Sequence, residues 1–168
     1  MNTTGIVQIP DPVLREVCPL VTTFDDDLRA LADELIAATK HAGRAGVAAP
    51  QIGVAKNIFA VRLNGDFRVL VNAEILESEG VQRTSEGCLS VGQRWFNLNR
   101  AERVRVRATT IEGKPFGGWH EGFDAKLLQH EIDHMSGILV VDRAREQVAG
   151  LPRAQRRQLE RELAKVPA

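Results

Sequence analysis

From Phe24 to Gly43 the chain reads FDDDLRALADELIAATKHAG, and Leu28, Leu31, Leu35 and Ile36 fall on one stripe at helical spacing. Acidic residues crowd the start and Gly43 follows the end, so the segment predicts a helix whose charges suit its dipole. IFAVRL (58–63) and FRVLVN (67–72) are short apolar runs either side of Asn64-Gly65-Asp66, the composition of a hairpin turn. ERVRVRATT (102–110) alternates strictly, as a half-buried strand does, and Glu112-Gly113-Lys114-Pro115 predicts a turn into a partner strand near 116–121. In GFDAKLLQHEIDHMSG (122–137) the helical period returns, with Phe123, Leu127, Leu128 and Ile132 apolar. LPRAQRRQLERELAK (151–165) reads as a polar helix beginning near Pro152. Strands and helices come in blocks, not in strict alternation. The expectation is an α+β fold: antiparallel or mixed sheets packed around a central helix carrying HEIDH, with one helix towards each terminus.

Composition narrows the function classes. The 168 residues are 43% hydrophobic and 26% charged, enough for one core. No repeat or linker divides them, so 1–168 is expected to be a single domain with 151–168 as its C-terminal basic helix. Lys+Arg and Asp+Glu both number 22, leaving no net field to draw nucleic acid or an anionic membrane. MNTTGIVQIPDPVLREV lacks the basic-then-apolar order of a secretory signal, and no apolar run approaches a membrane span. Cys18 and Cys88 are too few for a disulfide framework, which suits a reducing, cytoplasmic setting.

HEIDH carries the chemistry. On a helix, His130 and His134 project from one face and can share a cation, while Glu131 sits about 100° around, in reach of a water on that cation. Two imidazoles do not close a catalytic site. The metzincin protease pattern needs a third histidine where this chain has Val140, and a later methionine where this chain has none beyond Met1 and Met135. A gluzincin glutamate has only Glu146 and Glu160 to draw on, neither in an apolar helical setting. Cys88, in SEGCLSVG, is the better third ligand, because Gly87 permits a turn that aims the thiol inward; Cys18, in VCPL, reads as a buried, inert thiol. Thiolate with two imidazoles suits Zn(II) or Fe(II) and leaves a fourth position for water.

With these residues assembled, the chain resembles the peptide deformylase family through GVAAPQ (46–51), EGCLS (86–90) and QHEIDH (129–134), in order. The resemblance implies hydrolytic removal of the N-formyl group from N-terminal formylmethionine, with release of formate. It implies Cys88, His130 and His134 as ligands of one divalent ion, Fe(II) in most members, with zinc, nickel or cobalt able to replace it. Glu131 is then the proton carrier, and Gln51 with the backbone N–H of Leu89 the oxyanion donors. Gly46 and Gly87 are expected to let an extended substrate peptide approach, Val47 to be a substrate contact beside them, and Leu127 to wall the methionine pocket. The C-terminal helix, with Arg153, Arg156, Arg157, Arg161 and Lys165, is expected to contact the ribosome. Departures from the pattern are Arg44 for a usual glycine, Val47 for leucine and Gly92 for proline. They bear on substrate preference and leave open an amide hydrolase of the same mechanism acting on another formyl or acyl substrate.

Overall fold

The computed structural model describes residues 5–92 and 94–166. Helix α1 spans Asp26–His41; Asp25 caps it by accepting from the Leu28 N–H at 3.0 Å. Strands β1 (Gly46–Ala48), β2 (Ile58–Leu63), β3 (Asp66–Glu79), β6 (Arg103–Thr110) and β7 (Pro115–Glu121) form one sheet in the order β1-β2-β3-β6-β7. A second sheet pairs β4 (Gln82–Gly87) with β5 (Trp95–Arg100). Helix α2 spans Gly122–Met135, followed by α3 (Val140–Gln147) and α4 (Arg153–Leu163).

The α+β architecture agrees with the expectation, but every strand pair is antiparallel, so neither sheet is mixed. IFAVRL is nearly all apolar because β2 is covered on both faces. Phe59, Val61 and Leu63 pack towards α2 with Leu127 and Leu128, while Ile58 and Ala60 pack towards α1 with Leu28, Leu31 and Leu35. The β2–β3 turn is tighter than expected, with Asn64 and Gly65 both at positive φ (49° and 90°), the backbone that this pair of residues tolerates best.

Three elements depart from the sequence expectation. β3 continues past Asn72 to Glu79, where it pairs with β6 through a ladder of Glu74–Arg107, Glu77–Arg105 and Glu79–Arg103 ion pairs. Register shifts along this stretch break the two-residue period. β4 reads QRTSEG, and its inward positions are Thr84 and Glu86, so no hydrophobic alternation announces it. α3 buries Val140, Val141 and Ala144 against β5 and Leu159 of α4. This third cluster also contains Cys88, so the second sheet and the C-terminal helices form the backing of the Cys88 segment.

Candidate metal centre

α2 presents His130 and His134 one turn apart, their ring centroids 5.1 Å from each other. Cys88 enters from the other side, where β4 ends and the short turn Leu89–Val91 begins. The ligand atoms of Cys88, His130 and His134 all lie within 4.8 Å of one another, with Cys88 Sγ 3.5 Å from His134 Nε2. A four-coordinate ion with S and N bonds of about 2.3 and 2.0–2.1 Å holds such atoms about 3.5 Å apart, so the donors fit a tetrahedral metal. Val140, Glu146 and Glu160 stand elsewhere; among the described residues this is the one cluster of such donors.

The layer behind the ligands is built of charge. His130 Nδ1 meets Glu86 Oε2 at 3.0 Å, which turns Nε2 towards Cys88. Glu86 accepts two bonds from Arg100, at 2.9 and 3.0 Å, and one from Thr84 at 3.0 Å. Arg100 in turn donates to Asp133 at 2.6 Å, and Arg143 to the same carboxylate at 2.6 and 3.1 Å. Burial alone would raise the Glu86 carboxyl; hydrogen bonds from His130 and Arg100 hold it far below the usual carboxylate range. Burial also pushes the Cys88 thiol up, but the imidazoles of His134 and His130 outweigh it and bring the thiol down to about 5. A buried thiolate between imidazoles is a seat for a cation. Cys18 is the opposite case, with burial and Glu16 pushing its thiol up to about 11.

Glu131 is 2% exposed and its carboxyl is raised above its ordinary value, chiefly by burial, and among the described residues its Oε2 has no hydrogen-bond partner. Gln51 is oriented at both ends of its amide. Its Oε1 accepts from the Ala48 N–H at 2.9 Å, while Nε2 points to Cys88 Sγ at 3.5 Å and Ser90 Oγ at 3.3 Å. Capping of the loop by Gln51 accounts for only the first of these contacts.

Comparison with known proteins agrees with the geometry. The family profile described as polypeptide deformylase matches residues 3–149. The chain belongs to this family. A peptide deformylase of Alkalilimnicola ehrlichii is 42% identical over 146 residues, covering 84% of this chain and 82% of the relative. The crystal structure of a peptide deformylase from Legionella pneumophila superposes with a TM-score of 0.81 at 39% identity, covering 95% of this chain and 92% of that one. The peptide deformylase of Thermus thermophilus gives 0.82 at 33% identity, with 96% and 95% covered. As a deformylase, the chain is a metal-dependent amide hydrolase that takes the N-formyl group off nascent peptides.

The deformylase cavity, about 260 Å³, is lined by Gly46, Gln51, Gly87, Cys88, Leu89, Leu127, His130 and Glu131. His134, the third ligand, is 1% exposed and is not part of that lining. Val47 does not join them. Its side chain is wholly buried in the cluster beneath α1, because the strand alternation that turns Gly46 towards the cavity turns Val47 away. The sequence reading missed Glu86, Arg100, Asp133 and Arg143 as the charged backing; only the glutamate of EGCLS had a motif to announce it. It also missed Trp95, Phe123 and Lys126, which line the cavity beside Arg44.

Proposed function

We propose that Glu131 is the proton carrier and that Gln51 and Leu89 are the oxyanion donors for hydrolysis of N-formylmethionyl peptides. The observation that carries this is the convergence of Glu131, Gln51 and Leu89 on the one cavity into which the Cys88/His130/His134 centre opens. When bound there, the ion supplies Lewis acidity, lowering the pKa of water towards neutrality. Glu131 takes the proton released by the attacking water and returns it to the departing amine, and its burial favours holding that proton between the two events. As charge builds on the formyl oxygen, Gln51 Nε2 and the Leu89 N–H donate to it; one such donor is worth about 3–4 kcal/mol of barrier.

Substrate placement follows from the sheet edge. Among the described residues β1 pairs with β2 alone, which leaves its other edge beside the cavity. The Arg62 N–H bonds the Ala45 carbonyl, and alternation then directs the Gly46 backbone groups off that free edge. An extended peptide adds there, with Gly87 on its other side and the methionine side chain against Leu127. Of the departures from the family pattern, Val47 and Gly92 are absent from the cavity wall and Arg44 lies at its mouth. This favours formylmethionine over a different acyl group. Formate release from formyl-Met-Ala, with acetyl-Met-Ala untouched, is the test; metal-loaded protein inert on every formyl-methionyl peptide would overturn the assignment.

We further propose Fe(II) as the native ion, the site's donors accepting zinc, nickel or cobalt as well. Iron predicts activity that decays in air and persists anaerobically; equal decay in both would exclude it. The reaction is assigned to the cytoplasm; no helix among the described residues is long and apolar enough to cross a membrane. Residues 1–168 are proposed to act as one catalytic domain, α4 included, since Leu159 is buried in the same cluster as Cys88; two separate unfolding transitions would argue otherwise. On α4, Arg153, Arg157 and Arg161 recur every fourth position, exposed and without a carboxylate partner among the described residues. That stripe is proposed as the ribosome contact. Because truncation would uncover Leu159, the sharper test is charge reversal of the three arginines, which should abolish co-sedimentation with ribosomes.

A further inference from the structure

We infer that Arg44 makes this deformylase selective for formylmethionyl peptides with an acidic side chain at the second or third position. The inference rests on the proposed deformylase reading. Arg44 is exposed at the mouth of the catalytic cavity, its guanidinium 5.7 Å from the centroid of the Trp95 ring. Trp95 opens β5, is 53% exposed and lies against Gly87, where an added Cβ would come within 3.3 Å of the indole. The indole therefore faces a cation at the rim, and the missing side chain at Gly87 leaves room for the indole.

The rim charge is not neutralised locally. Among the described residues Arg44 has no carboxylate within ion-pair distance. Lys126, which lines the same cavity, sits over the Phe123 ring at 4.6 Å and, among the described residues, donates to the Ser85 carbonyl and pairs with no carboxylate. The two carboxylates that line the cavity, Glu86 and Glu131, are both 2% exposed, and Glu86 is already taken by Arg100 and His130. Asp124 lies in the neighbouring depression beside Lys40 and Arg62 as well as Arg44, and it accepts from the Asn64 N–H. The mouth is thus cationic around an interior whose two carboxyl groups are buried, Glu86 paired with Arg100 and His130.

Direction along β1 assigns the positions. A substrate whose formyl group lies at Gln51 and whose backbone pairs at Gly46 leaves the site towards Ala45 and Arg44, antiparallel to β1. Arg44 lies two residues before β1, at most about 7 Å from Gly46 at about 3.4 Å per residue, which sets it beside the second and third residues of the peptide. An exposed charge pair at such a rim is worth about three- to fivefold in kcat/KM, carried in KM and screened by salt.

The test uses metal-loaded enzyme and C-terminally amidated formyl-Met-Ala-Ala, with Glu or Lys replacing either alanine. The Glu peptides should exceed the Lys peptides by about three- to fivefold or more at low salt, with the gap closing at about 0.5 M NaCl. In Arg44→Gln the ratio should fall towards one, and Arg44→Lys should retain part of it. Equal rates for Glu and Lys peptides in the wild type, or a ratio unchanged in Arg44→Gln, would overturn the inference while leaving deformylation intact. No turnover of any formyl peptide would overturn the underlying reaction and this preference with it.

Discussion

Gly46 and Glu131 occupy space that two side chains cannot share: a Cβ on Gly46 would lie 2.3 Å from Glu131 Oε1 and 2.7 Å from Cδ. The glycine is needed for this approach, not for an unusual φ, since Gly46 is absent from the positive-φ positions. Gly46→Ala should therefore move the Glu131 carboxylate while leaving Cys88, His130 and His134 in place. Displacing a reacting group by about 1 Å costs on the order of a hundredfold in rate. The expected result is a kcat lowered by about that factor with full metal content; an alanine variant within twofold of wild type would refute the packing argument.

Removing the carboxylate itself should cost more. Glu131→Gln keeps the volume and the burial but cannot take a proton, and general acid–base groups contribute about 10²–10⁴-fold. Metal content should be unchanged, because Glu131 is outside the ligand set. If the glutamine variant instead lost its metal, Glu131 would be a structural or ligating group and not the proton carrier.

Behind the ligands, Glu86 is both an orienting group and a stability element. It fixes the His130 ring through Nδ1, so Glu86→Gln should weaken metal binding about 10–100-fold, measured by competition with a chelator. It also neutralises Arg100, and removing one partner of a buried pair costs up to about 3–5 kcal/mol. The pH dependence follows from the depressed carboxyl. In the unfolded chain Glu86 titrates near its ordinary 4.5, and in the native protein well below it. Its contribution is thus fully present above about 4.5 and drains away as pH falls towards the native value. Urea melts of metal-free protein should show wild-type stability falling below about pH 4.5 and a flatter profile for Glu86→Gln; parallel profiles would remove Glu86 as the cause.

How much of this was legible in the sequence depended on whether a residue's neighbours were local. α1 and α2 announced themselves because their apolar stripes and the Asp25 cap lie within one segment. The ligands and Glu131 were legible because helical spacing sets His130 against His134, and the EGCLS motif supplies Cys88. β4 was hidden because its buried positions hold Thr84 and Glu86, acceptable inside only where Arg100 and His130 meet them from distant parts of the chain. The outer half of β3 was hidden likewise, its glutamates making sense only opposite the arginines of β6. Val47 was misplaced as a substrate contact since a motif names neighbours in sequence, whereas strand alternation sends adjacent side chains to opposite faces.

The two cysteines give the most direct chemical check on the centre. Both are nearly buried, at 4% exposure, yet their surroundings push the thiols in opposite directions, Cys88 down to about 5 and Cys18 up to about 11. Reactivity follows the thiolate, so at about pH 7.5 the metal-free protein should hold Cys88 largely ionised and Cys18 protonated. Cys88 also faces the cavity, which gives a small alkylating reagent a way in. Iodoacetamide should accordingly label Cys88 alone in chelator-treated protein, as read by peptide mass spectrometry. Adding Zn(II) before the reagent should protect it, because the thiolate would then be a ligand. Labelling of Cys18 at a comparable rate, or no protection by zinc, would contradict the Cys88/His130/His134 assignment.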